Sequence, residues 1–437
     1  MTTLTFPLSR IEGHARVEIE VQNGKVISTR FQAMEKRGFN LMVTGVPADQ
    51  MPVIVPRICG VCSTAHHVAS VKALENAYGI QPPPLANHIR ELLLLGQLIQ
   101  NQATSLFIFT MPDRLGVESL FHIDTDEADK KTQFDIARRA LMVRQLGTDL
   151  ITLAGGQFIH PVKAVVGGVS SGIDSGRAAA FQQRLQAALP TACELVDYYW
   201  EVSTRMKDRI GTWGDDQPAY YIASTERDDP RYNSSIIRVM TPAGECCREF
   251  TADTFREELV FEDTDYSYAG RTSYQGGVMR ANSLARANMT RRMGIRRADA
   301  YMRRLRSEFG HPAHPILLFD LCRGIELVYA IELAGQLLEE DFTKGEVDMP
   351  YKPRDGEGWG LVEAPRGPLI HHYVIEKGKI AMGEFVIPTV HNMLAIERAL
   401  RVAADRYITS DSVNLELEKA VGRVVRAFDP CIACATH

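Results

Sequence analysis

The sequence predicts a mainly α protein with small β regions, an α+β chain with a buried long-helix bundle core. Three observations carry that expectation. Leu85 to Phe109 is a long apolar helical stretch without a wide polar face, as a buried central helix requires. Helical spacing of apolar residues dominates the remainder, while strand-like pieces are confined to residues 11–33, 212–277 and 358–388. Two Cys-x-x-Cys pairs, Cys59/Cys62 and Cys431/Cys434, stand near opposite ends of a 437-residue chain, so a site that uses both must be framed by everything between them.

Length alone suggests about three domains. A site built from both ends argues instead for residues 1–437 as a single domain. Hydrophobic residues make up 45% and charged residues 24%, which excludes a disordered chain, and a net charge of −5 leaves no nucleic-acid footprint. No continuous apolar run approaches the roughly 18 residues of a membrane span. Met1-Thr2-Thr3-Leu4-Thr5 lacks the basic and apolar regions of a signal peptide, so a cytoplasmic location is expected, with export or membrane association through a partner still compatible. Eight cysteines in a chain this long are not a disulfide scaffold, and Cys-x-x-Cys pairs favour metal or redox chemistry. Cys193, Cys246, Cys247 and Cys322 stand in ordinary contexts and read as structural thiols.

Taken in order, Ala15 to Val21 alternates with period two, Asn23-Gly24 supplies a hairpin turn, and Val26 to Phe31 resumes the alternation. Just before it stands Arg10-Ile11-Glu12-Gly13-His14. Residues 63–78 read as a helix, with Val68, Val71, Leu74, Ala77 and Tyr78 at helical spacing and Gly79 as the stop. Cys62 and His66 then share its first turn, where unpaired amides favour thiolate over thiol. The 85–109 helix is expected to stop before Met111-Pro112-Asp113. Helices are predicted over 127–154, 174–209, 295–309 and 314–339, then one of about 15 residues after Asn392 and another over 411–427. Gly155-Gly156 and Gly167-Gly168 lack the strand–turn–helix context of a dinucleotide site. The strand-like 358–392 region carries Ala364-Pro365-Arg366-Gly367, His371-His372 and a turn at Lys377-Gly378-Lys379.

Four thiolates are soft ligands suited to zinc, an iron–sulfur cluster, nickel or copper. Structural zinc usually staples small modules, which a chain with an ample core does not need. Arg57 and Arg366 can offset thiolate charge, Glu12 can exchange protons, His66 can orient a cysteine, and His437 can place a second ion at the terminus. His67, His371, His372 and His391 read as packing or surface residues.

Arg57-Ile58-Cys59-Gly60-Val61-Cys62 with His66, Arg10-Ile11-Glu12-Gly13-His14, Ala364-Pro365-Arg366-Gly367, and Asp429-Pro430-Cys431 with Cys434 and His437 together resemble the large subunit of a nickel–iron hydrogenase, most closely the cytoplasmic cofactor-coupled group. Leu284-Ala285-Arg286 with Asn288, and Gly155-Gly156 with His160-Pro161, extend the likeness over nearly the whole chain. The resemblance implies a Ni–Fe centre held by Cys59, Cys62, Cys431 and Cys434, with Cys62 and Cys434 also bridging to an iron that carries carbon monoxide and cyanide. It implies reversible heterolytic cleavage of H2, with Cys431 as proton acceptor and Glu12 as the next relay. Arg366 would lie over the open site, held by Asp113 and Asp429. Pro365, Pro388 and Thr389 would line the diatomic pocket, and His66 would hydrogen-bond a bridging thiolate. Electrons would leave through an iron–sulfur small subunit, then through further electron-transfer subunits, because this chain has no second cysteine set. The non-catalytic quinone-module relative in complex I lacks the four cysteines.

Three features depart from the family pattern. Arg37-Gly38-Phe39-Asn40 has an amide where a glutamate usually binds magnesium together with the terminal histidine, so Asn40 and His437 form a weaker expected site for a hard cation. Gln102 and Ser105 stand where histidines are usual. The chain stops at His437, as the processed form of the family does.

Overall fold

The fold was analysed in a computed structural model, which describes all residues except 122–126, 207–213, 216, 227, 343 and 437. Helices dominate, at about 49% helix and 19% strand, in line with the expected class.

The core is organised on the Pro84–Ala103 helix. Its apolar residues are buried almost throughout, and Ala128–Gly155 packs along it. The two backbones touch where Gly96 meets Gly147. A side-chain carbon on Gly147 would lie 2.5 Å from the Gln100 nitrogen. Leu318–Leu337, also buried nearly throughout, packs against Pro84–Ala103 and against Ser175–Thr204.

The central helix does not end before Met111. It passes through a π-helical stretch, Thr104–Thr110, into Met111–Leu115 and stops at Gly116. Pro112 lacks the N–H that a regular helix would need there. The wider turn absorbs that loss, and the Thr110 hydroxyl donates to the Ser105 and Leu106 carbonyls. By length and composition this continuous run, Pro84–Leu115, is long enough to cross a bilayer, contrary to the sequence expectation. However, 83% of its apolar window is buried inside the protein.

Ser63–Tyr78 has the predicted bounds, with Gly79 as a left-handed cap. It lies against the first strand of an antiparallel sheet formed by Gly356–Ala364, Gly367–Glu376 and Lys379–Val386. Contact is backbone to backbone. A side-chain carbon on Gly360 would sit 1.9 Å from the Ala69 carbonyl oxygen, and one on Gly358 2.3 Å from that of Ala73. Glycine facing alanine therefore locks the start of this helix, with Cys62 as its N-cap residue, against the strand that ends beside Arg366.

The predicted hairpin forms from Ala15–Gln22 and Lys25–Ala33, with Asn23 and Gly24 both at positive φ. Thr2–Pro7 adds a third antiparallel strand that the sequence pattern does not reveal. The 212–277 region holds short strands, of which Tyr220–Ala223, Ile237–Met240 and Cys246–Phe250 join Met279–Arg280 in one sheet. Their apolar faces make a smaller core around Ile222, Ile237, Val239 and Phe255. Met393–Tyr407 and Leu415–Phe428 are the last two long helices, and they pack on each other.

Candidate metal centre

The two cysteine pairs meet. Their four Sγ atoms lie within 4.8 Å of one another, and all four residues are buried. Cys431 Sγ is 3.4 Å from Cys59 Sγ, 3.8 Å from Cys62 Sγ and 2.8 Å from Cys434 Sγ. No disulfide joins them.

Local backbone explains how the terminal pair arrives. Leu415–Phe428 ends at Asp429, which adopts the left-handed conformation at φ 49°. Asp tolerates this conformation better than most residues. The chain then runs parallel to Glu12 for one bridge, with the Ile432 N–H donating to the Glu12 carbonyl at 3.0 Å. Gly13 makes that approach possible. Its φ is +80°, and a side-chain carbon there would sit 2.8 Å from the Ile432 Cβ. Arg37 ties the same region to the first pair, since its N–H donates to the Thr436 carbonyl at 2.8 Å and its guanidinium to the Ile58 carbonyl.

Charged and polar groups surround the cage. Glu12 Oε2 accepts from Cys431 Sγ at 3.0 Å and from the Ala433 N–H at 3.1 Å. Arg366 Nη1 reaches Cys62 Sγ at 3.2 Å, while its Nη2 pairs with Asp429 Oδ1 at 3.0 Å. Burial alone would lower the Arg366 pKa, but Asp429 and the cysteine charges outweigh it and keep the guanidinium charged. Hydrogen bonds from Cys431, then from Cys434 and Cys59, hold the Cys62 thiol well below its usual range, and Arg366 adds to this. Burial pushes Cys431 and Cys434 well above it. Buried soft donors around one point, not tied up in disulfides and with a cation beside them, fit a thiolate-bound transition metal.

Other sequence candidates also converge. His66 Nε2 lies 3.5 Å from Cys434 Sγ. Thr389 Oγ1 accepts from the Cys431 N–H at 3.0 Å, and Pro388 begins the same buried turn. The Pro365 carbonyl accepts from Arg286 at 2.8 Å. Arg286 is clamped in turn by Glu326 and Glu363, so this buried cluster fixes the loop that presents Arg366. That gives a physical role to Leu284-Ala285-Arg286.

Two expectations need correction. Asp113 does not hold Arg366. Its carboxylate is taken by Arg10 at 2.7 Å and by Arg426 at 2.6 and 2.8 Å. The residue on the central helix that reaches the Arg366 pair is Asn101, whose amide donates to Asp429 Oδ2 at 3.2 Å. Arg57 is exposed, and its guanidinium bonds the Val53 carbonyl rather than a cage sulfur.

Asn40 and Ala435 line one cavity of about 610 Å3. The Asn40 Oδ1 is buried and has no hydrogen-bond partner among the described residues. His437 lies outside the described residues.

Of the residues read as inert, His67 and His391 are buried and pushed down to about 4 by burial. His372 stacks on Trp359 between Glu357 and Glu384. His371 instead contacts His66. Cys322 is a core thiol, whereas Cys247 is exposed.

Comparison with known proteins agrees with this geometry. The family model described as nickel-dependent hydrogenase matches residues 37–139 and 222–437, and one described as HoxL-like matches residues 5–35. The chain is 30% identical to one subunit of the F420-non-reducing hydrogenase of Methanothermobacter marburgensis, covering 100% of this chain and 95% of that protein. It is 27% identical to NAD-reducing hydrogenase HoxS subunit beta of Cupriavidus necator, over 99% and 93%. Among solved structures, a NAD+-reducing [NiFe]-hydrogenase in the H2-reduced state aligns with a TM-score of 0.90 at 28% identity, covering 100% of both chains.

Proposed function

Because the chain belongs to the nickel-dependent hydrogenase family, we propose that it is the catalytic subunit that splits and forms H2 at a nickel–iron centre held by Cys59, Cys62, Cys431 and Cys434. The observation that carries this reading is one buried four-thiol cage with a charged guanidinium on one sulfur and a carboxylate on another.

When bound, such a centre supplies a site where H2 is polarised and cleaved heterolytically. The chain's own residues supply the rest. Cys431 takes the proton, because its sulfur is placed 3.0 Å from the Glu12 carboxylate that receives it next. Arg366, fixed by Asp429 and Asn101, aims positive charge into the cage. Pro365, Pro388 and Thr389 would line the pocket for carbon monoxide and cyanide on the iron. His66, with Nε2 3.5 Å from Cys434 Sγ, would hydrogen-bond that sulfur. Asp113 supports the site at one remove, by tying Arg10 to Arg426.

Electrons leave to an iron–sulfur small subunit docked near Cys59 and Cys62, where Val53 and Val61 present exposed apolar side chains. Further electron-transfer subunits follow, and the complex works in the cytoplasm. The F420-non-reducing and NAD-reducing relatives, each named as a subunit of its hydrogenase, support the first statement. Asn40 and His437 hold magnesium or an ordered water, a reading supported by the unpaired Asn40 oxygen.

Metal analysis of the purified complex tests the proposal. Nickel, with iron in excess of it because the small subunit's clusters add their own, and infrared bands of carbon monoxide and cyanide are expected. Zinc as the sole metal would refute it.

A further inference from the structure

A buried row of amides joins Arg366 to a second guanidinium. Asp429 Oδ1 pairs with Arg366 Nη2 at 3.0 Å, and Asp429 Oδ2 accepts from Asn101 Nδ2 at 3.2 Å. The same Asn101 nitrogen donates to Gln102 Oε1 at 3.3 Å, and Gln102 Nε2 donates to Glu326 Oε2 at 2.5 Å. Glu326 is held in turn by Arg286, whose Nε and Nη2 reach its two oxygens at 2.6 and 2.9 Å. Gln102 is 0% exposed, and Asn101, Glu326 and Asp429 are between 2% and 3%. The row crosses between elements, since both amides lie on Pro84–Ala103, Glu326 on Leu318–Leu337, and Asp429 just past Leu415–Phe428.

We propose that Gln102, backed by Glu326, is a positioning residue for the hydrogenase reaction. It orients the Asn101 amide so that Asp429 receives a donor and holds Arg366 on Cys62. The proposal rests on the assignment of a nickel–iron centre to the four cysteines.

Donor and acceptor chemistry fixes each link. A carboxylate clamped by a guanidinium can only accept, so Gln102 must turn its NH2 group to Glu326. Its oxygen then faces Asn101 and accepts there. Asn101 Nδ2 has two hydrogens, one for Gln102 and one for Asp429. Reversing the Asn101 amide would set its oxygen against an oxygen of each neighbour, at a loss of two buried hydrogen bonds. An ion pair carried by two other helices, Arg286 with Glu326, therefore decides which end of the Asn101 amide meets Asp429. Bonded on both oxygens, Asp429 keeps its carboxylate plane, and Arg366 keeps Nη1 at 3.2 Å from Cys62 Sγ. Neutral amides transmit this constraint without adding charge to the interior.

The test uses the assembled enzyme, with H2/D2 exchange expressed per nickel and the carbon monoxide band recorded by infrared. Gln102→Met keeps the length of the side chain and removes both bonds. Exchange is expected to fall by up to roughly 10²-fold. The carbon monoxide band should move to lower wavenumber, because a sulfur that loses its guanidinium donor leaves the metals richer in electrons. Added to Arg366→Lys, Gln102→Met should cost little further, since it acts through Arg366. A merely structural role would lower nickel content or melting temperature and leave the per-nickel rate and the band of the loaded molecules unchanged. That result would overturn the inference, as would a loss that multiplies in full with that of Arg366→Lys. Should Gln102→Met fail to load nickel, Gln102→Asn, whose shorter amide cannot span both partners, takes its place with the same expectation and the same refutation. Absence of nickel from the wild-type complex would instead reject the assignment of the centre, and this inference with it.

Discussion

At the scale of single residues, the cage depends on side chains that hold two partners at once. Arg366 uses a planar fork, with Nη1 on Cys62 and Nη2 on Asp429. A lysine cannot reach both. Arg366→Lys is expected to cut H2/D2 exchange by roughly 10²-fold or more, with nickel content held. Glu12→Gln keeps an acceptor for the Ala433 N–H but cannot take a proton. Exchange should fall by roughly 10² to 10⁴, and an undiminished rate would remove Glu12 from the path. Much of this site is readable from spacing, because Cys-x-x-Cys, Arg366 and Asp429 sit in short local patterns. Asn101 is harder to find, although a signal exists. Gln97, Gln100, Asn101 and Gln102 are amides clustered in the otherwise apolar C-terminal half of the Pro84–Ala103 helix, and buried amides require partners. Asp113 misleads for the opposite reason. Its neighbours in sequence say nothing of Arg10 and Arg426, which are its actual partners.

At the scale of elements, glycine on strand against alanine on helix sets where Cys62 stands relative to Arg366. Gly360→Ala would place a carbon inside the van der Waals shell of the Ala69 carbonyl. The helix must then lift away, at a cost of about 1–3 kcal/mol. Lower melting temperature and lower nickel content are expected together, because the same displacement opens the thiol cage. Helix periodicity locates Ser63–Tyr78 to the residue, since a capping glycine and an apolar face agree there. The third strand, Thr2–Pro7, escapes notice because its pairing with Ala15–Gln22 is a tertiary event and its own alternation is short. The passage through Thr104–Thr110 is also hidden. Proline predicts an end to a regular helix, and only the packed structure shows the wider turn that accommodates it.

At the scale of the whole molecule, we propose that residues 1–437 unfold as one cooperative unit. The main hydrophobic core includes Leu4 and Ala435, so neither end can detach without opening it. A single calorimetric transition is expected. Its pH dependence has a definite sign. His67 and His391 have native pKa values of about 4 against an ordinary 6.5, so the unfolded chain binds more protons between those values. Stability therefore rises with pH across that window and falls on acidification, by about 2 kcal/mol for each histidine between pH 7 and pH 5. Urea titrations at the two pH values would show the loss, and a His67→Gln/His391→Gln double variant should flatten it. The mainly helical class is legible because helical periodicity is a local property. The meeting of the two cysteine pairs is inferable only as chemistry, since no local rule brings Cys59 to Cys431.

The near-complete exclusion of water from the cysteine cage also constrains the traffic of charge. Cys59, Cys62, Cys431 and Cys434 are between 1% and 6% exposed, with Arg366 as the cation bonded to a cage sulfur. An electron that left such a site alone would strand a net positive charge in a medium of low polarisability. Electroneutral exchange avoids that penalty: on the proposed route each departing electron would be matched by a proton leaving through Cys431 and Glu12. The midpoint potential should accordingly fall by about 59 mV for each unit rise in pH for a one-electron step, and Glu12→Gln, which removes the relay but leaves the acceptor Cys431, should keep that slope while slowing its equilibration. In these terms the burial of the cage would act as a coupling device, making the two products of H2 oxidation leave in step although the proposed routes differ.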